Sequence, residues 1–173
     1  MQGLIHGKVS KAMNHIKNIQ RTSRIGLWGS VAAVILTVVF IYASPWRFYP
    51  SEYTSRWMLV AGSVLAVLAV SMTLLSVRRR IPQLRQMEEQ ESKLAGYESH
   101  VGSLYLTMLA VVVLLCAFTL LSARNVLLML AIVSVLVLFL NYPNIYRMKV
   151  DLGLTDEEMR QLFGDKYIGG DAQ

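Results

Sequence analysis

Four stretches of the chain contain no Asp, Glu, Lys, Arg or His: residues 25–44, 57–77, 101–122 and 126–142. Together they hold 80 of the 173 residues. A helix rises about 1.5 Å per residue, so about 20 residues cross a hydrocarbon core of about 30 Å. The pattern therefore predicts four membrane-spanning helices, the fourth at the short end of the range. Pro45 stops the first, and Pro45 and Pro50 rule out one continuous helix through 45–56. The link 123–125 is so short that the third and fourth spans must form an antiparallel hairpin. Pro143 discourages continuation of the fourth.

The polar segments have patterns of their own. Ile5, Val9, Ala12, Met13, Ile16 and Ile19 recur at helical spacing, and Lys8, Lys11, Lys17 and Arg21 fall mainly on the other side. This predicts a basic amphipathic helix over 1–24 that lies at the membrane surface, with its cations near anionic headgroups. The first apolar run starts at Ile25 and is long for a signal-peptide core, so a retained first helix is expected. Pro82 is expected to break or kink the path after the second span. A short polar helix over 84–94 is expected next, with Gly96 as its stop. In the tail, Thr155 and Glu158 fit a capping box, Leu154 and Met159 a hydrophobic staple, and Gly164 a left-handed stop. A helix over 156–163 follows, docked on the cytoplasmic ends of the spans or on a partner. The expected organisation is a segment 1–24, a four-span domain 25–142 and a cytoplasmic tail 143–173.

Composition sharpens this. The chain is 54% apolar and 16% charged, against about 25% charged in an ordinary soluble domain. That excludes a soluble globular enzyme, a disordered chain and a disulfide scaffold. The net charge is +6, and its placement matters more than its size. Fourteen of the 17 basic residues lie in 1–24, 78–100 and 143–173; Arg47, Arg56 and Arg124 occupy the other two connections. Positive residues stay on the cytoplasmic side during insertion, so both termini and the central loop are expected inside. Arg78, Arg79 and Arg80 would anchor the second span at that face, and Trp46 and Trp57 the opposite headgroup layer. The charge is read as topology, not as a nucleic-acid surface.

Candidate chemistry is sparse. Charged groups in hydrocarbon are costly and are kept for a use, yet the four stretches hold none. His6, His15 and His100 fall outside or at the edge, which excludes a haem held by histidines of two spans and an intramembrane aspartyl pair. Cys116 stands alone, so no disulfide or CxxC pair exists. No HExxH, GxSxG or P-loop pattern is present. Neither catalytic residues, nor a metal, nor a cofactor is expected. Small residues do mark stripes where helix backbones can approach closely: Gly29 and Ala33 on the first span, Gly62, Ala66 and Ala69 on the second, Ser103 and Thr107 on the third.

These features give an all-α integral membrane four-helix bundle of two antiparallel hairpins, with an amphipathic N-terminal helix and a short C-terminal cytoplasmic helix. The compact loops and arginine bias place it in a bacterial cytoplasmic membrane. The expected role is a non-enzymatic accessory, scaffold or assembly subunit that contacts lipid headgroups and a membrane or cytoplasmic protein. The alternative is a small homo-oligomeric channel or transporter with a Ser/Thr-lined path.

Overall fold

The computed structural model describes residues 2–43, 51–87, 89–122 and 124–163, with side chains placed from 11 to 160. These residues form six helices and no strand: α1 Gln2–Ala43, α2 Glu52–Arg85, α3 Gln90–Ser122, α4 Asn125–Leu140, α5 Ile145–Leu152 and α6 Asp156–Phe163. Three of them, α1, α2 and α3, are long and apolar enough to cross a membrane. Trp46 and Gly164 lie outside the described residues.

The helices α1, α2 and α3 are longer than the apolar stretches they contain, and this corrects three expectations. The first proline is Pro45, so nothing interrupts α1, and 2–24 is its first half rather than a separate surface helix. On its apolar side Ala12, Ile16 and Ile19 are buried, while Met13 is exposed. The expected break at Pro82 comes three residues later, at Arg85. Gly96 does not stop a helix; α3 passes straight through it. A Cβ there would sit 2.6 Å from Leu84 Cδ2, so the glycine admits the leucine of α2. Residues 84–94 are thus the end of α2, a tight link and the start of α3.

The chain divides into two compact units that interleave along the sequence. Unit 1 gathers Met1–Thr22, Ser76–Gly102 and Pro143–Gln173; unit 2 gathers Ser23–Leu75 and Ser103–Tyr142. The boundaries fall within a few residues of the ends of the charge-free stretches, because packing partners change where polarity changes.

In unit 2, α3 is the shared neighbour. It runs parallel to α1: Gly26 meets Tyr105, and Gly29 meets Leu109. It runs antiparallel to α2: Ser55 Oγ donates to the Ser122 carbonyl at 3.0 Å, and Gly62 faces Leu115 and Phe118. It runs antiparallel to α4, where Tyr105 Oη donates to the Leu138 carbonyl at 2.9 Å. Val112 and Leu115 of α3, and Leu127, Ala131 and Leu138 of α4, are fully buried.

In unit 1, α1 and α3 again run parallel, linked by Lys11–Glu91 and His15–Glu98. The short helix α5 had no counterpart in the sequence reading. Asn144 caps it by accepting a hydrogen bond from the Arg147 N–H at 2.6 Å, and Gly153 ends it at φ 64°. Arg85 donates to the carbonyls of Val150 and Asp151, satisfying groups that the helix end leaves open. Met148 and Leu152 of α5 pack inward with Leu94 and Tyr97 of α3 and Met159 of α6, all essentially buried.

Candidate functional site

Unit 2 presents an apolar exterior. In the most apolar windows of α1 and α2 only 22% of residues are buried, and 39% in α3. Trp28, Ile35 and Leu36 of α1, Leu68 and Met72 of α2, and Leu136 and Phe139 of α4 are exposed. In water this surface would carry a large hydrophobic cost. It suits a hydrocarbon solvent, and the chain reads as a multi-pass membrane protein.

Five hydroxyls of unit 2 are used within their own helices. Ser30, Thr37, Thr119, Ser122 and Ser134 each donate to the carbonyl four residues back, at 2.6–2.9 Å. This bond removes the hydroxyl's need for water. At the far end of unit 2, Arg124 Nε donates to Ser55 Oγ at 3.0 Å, tying the α3–α4 link to α2.

The small residues divide. Gly62, Ala66 and Ala69 are buried on α2, and Gly29 and Ala33 are partly buried on α1. Ser103 and Thr107 are exposed; α3 instead turns Tyr105, Met108, Val112 and Leu115 inward. Gly26 is the close approach that sequence reasoning missed. A Cβ there would lie 2.9 Å from Tyr105 Cβ and 3.1 Å from the Tyr105 backbone oxygen. Its signal was the spacing Gly26–Gly29–Ser30, but the partner that gives it meaning lies on another helix.

Of the anchoring residues, Trp57 is exposed, with its ring edge-on to Tyr53 at 6.1 Å between centroids. Arg78, Arg79 and Arg80 are all exposed. The tail cap closes as a reciprocal pair: Thr155 N–H donates to Glu158 Oε2 at 2.7 Å, and Glu158 N–H to Thr155 Oγ1 at 3.3 Å. Leu154 and Met159 are buried on either side of it. Gln90 of α3 donates to Glu158 Oε1 at 2.6 Å, so the cap also docks α6. The hydrogen bond from the Thr155 N–H, with that from Gln90, holds the Glu158 carboxyl below the usual carboxylate range.

Unit 1 is joined across its helices by polar pairs. Tyr97 Oη donates to Asp151 Oδ2 at 2.9 Å, and Arg147 lies 3.7 Å from the same carboxylate. Lys149 of α5 pairs with Asp156 of α6. Beside this network sits His100, whose buried Nε2 has no hydrogen-bond partner among the described residues. Burial pushes its pKa down, the Arg80 guanidinium pushes the same way, and Asp151 opposes them. The unfolded chain therefore takes up this proton near pH 6.5, while the folded unit takes it up only at lower pH. Stability is fullest above that range and falls as the pH drops through it. His100→Gln is expected to flatten the loss of unit 1 stability between about pH 7.5 and about pH 5.5. Unfolding midpoints measured across that range check it; an unchanged slope would mean that His100 does not contribute.

Among the described residues no three His, Cys, Asp or Glu side chains converge as metal ligands. Comparison with protein-family models, curated proteins and solved structures finds no match.

Proposed function

We propose that the chain is a four-span protein of a bacterial cytoplasmic membrane, two antiparallel hairpins with both termini inside, and that it serves as a non-enzymatic accessory, scaffold or assembly subunit. Its contact surface is unit 1. The observation that carries this reading is α5, which is apolar on two opposite faces. Met148 and Leu152 are buried, while Tyr146 and Val150, one turn apart on the other side, are 73% and 48% exposed. A helix apolar on both faces is ordinarily covered on both. The inner face is covered by unit 1, and the outer face is offered to a partner protein.

The fourth span is α4, about 24 Å long from its 16 residues, and it draws on its flanking residues to reach both headgroup layers. The orientation rests on the basic residues of 1–24, 78–100 and 143–173.

Affinity purification from native membranes tests the role. A partner recovered in stoichiometric amount with the wild type, and lost with Tyr146→Ser plus Val150→Ser, is the expected result. No stoichiometric partner, or one indifferent to both substitutions, would overturn it. The channel reading has one observation in its favour, the exposed hydroxyls Ser103 and Thr107 on the outer face of α3. It requires an oligomer in cross-linking and solute flux in liposomes.

A further inference from the structure

Among the described residues of unit 1, some cations are spent within the unit and others are not. Lys11 pairs with Glu91, Arg147 with Asp151 and Lys149 with Asp156, and Arg85 is spent on the carbonyls at the end of α5. By contrast, Lys17 and Arg21 of α1 and Arg78, Arg79 and Arg80 of α2 are exposed and make no ion pair with a described residue. The position of these five is not arbitrary. Arg21 is next to the last residue of the segment Met1–Thr22, with Lys17 one turn before it, and Arg78–Arg80 lie within the first five residues of Ser76–Gly102. They stand where the helices of unit 1 pass into charge-free sequence. Among the described residues, the exposed acids of unit 1 lie elsewhere, Glu89 in the α2–α3 link and Asp156 and Glu157 in the first turn of α6.

Unpaired cations grouped at an apolar border need a counter-charge that arrives with that border. We propose that Lys17 and Arg21 together with Arg78, Arg79 and Arg80 hold the phosphates of anionic phospholipids; this rests on the membrane reading above. Arg forks grip phosphate oxygens through two N–H groups, whereas Lys acts as a point charge. The segment 1–23 contains no acid, so nothing on it repels the headgroup. Ala12, Ile16 and Ile19 are turned into unit 1, so this stretch of α1 meets lipid mainly through its cations.

The test is the full chain in liposomes of zwitterionic phosphatidylcholine, probed with spin-labelled phosphatidylglycerol and spin-labelled phosphatidylcholine. The motionally restricted fraction of each label is read. Phosphatidylglycerol is expected to be preferred by about fivefold or more, the effect of about one cation near an anionic surface. The preference should fall with added salt. It should also fall in steps in Lys17→Gln/Arg21→Gln, in Arg78→Gln/Arg79→Gln/Arg80→Gln and in their combination, and stay unchanged in Arg56→Gln. The two partial variants keep the result readable if the combined one does not fold. Equal restriction of the two lipids, or a preference untouched by the variants, would overturn the proposal. So would its abolition by inorganic phosphate at unchanged ionic strength, which would mark a site for a free anion. Absence of restricted lipid of either kind would instead sink the membrane reading itself.

Discussion

Gly26→Ala is expected to lower stability by about 1–3 kcal/mol, although alanine is the better helix former by about 1 kcal/mol. The added methyl would meet Tyr105 at its Cβ and at its backbone oxygen, 2.9 and 3.1 Å away. Neither atom can move without shifting α3, and Tyr105 is itself pinned by its bond to the Leu138 carbonyl. Gly62→Leu should cost about 3 kcal/mol, since its Cβ alone lies 2.6 Å from Leu127 Cδ2 and the added branch enters a space filled by Leu115 and Phe118. Gly29→Ala should be milder, because its neighbour is the far end of Leu109, at 3.1 Å. Gly102→Ala should be neutral or slightly stabilising: its Cβ would meet only Thr22 Cγ2, at an ordinary 3.9 Å. Unfolding midpoints of the four variants in mild detergent titrated with SDS check the order. If Gly26→Ala were as well tolerated as Gly102→Ala, the close approach of α1 and α3 would be wrong.

The second large effect concerns unit 1. Leu152 is fully buried at the end of α5, and Leu152→Ala is expected to cost about 2–5 kcal/mol, the lost transfer energy plus the cavity left behind. Since unit 1 draws its core from three separated segments, the loss should not stay in the tail. Amide exchange should accelerate in 12–21 and 90–101 as well as in 145–160. Acceleration confined to 145–160 would show that α5 is an appendage, not a core element.

Legibility differed from element to element for physical reasons. The tail helix could be read from Thr155 and Glu158, because a cap is made by residues three apart and needs nothing distant. The α5 helix had local signals too, Asn144 at its start and Gly153 at its end, but its eight residues hold together only with Arg85 and the surface beneath Met148 and Leu152. Pro82, expected to break or kink the path, does not end α2, and Gly96, expected as a stop, does not end α3. Both are ordinary helix breakers in isolation; α2 nonetheless continues past Pro82 to Arg85, and α3 passes through Gly96 because the glycine leaves room for Leu84. Ser103 and Thr107 lie on the exposed side of α3, because small residues mark where a helix can be approached, not which side is approached within the chain.

By itself, the sequence determined which segments can leave water and which cannot. That follows from costs paid residue by residue: a charge in hydrocarbon is expensive wherever it sits, and 1.5 Å per residue fixes how long an apolar helix must be. Helix type and the tail cap follow from the same local physics. Only the tertiary structure decided that three polar segments, remote in the chain, fold into one unit, and that Ala12, Ile16 and Ile19 of the first are buried. It also decided that Gly26 is where α3 comes close to α1 and that Ser103 faces outward. Those outcomes depend on shape match between distant side chains, a pairwise property that no single segment carries.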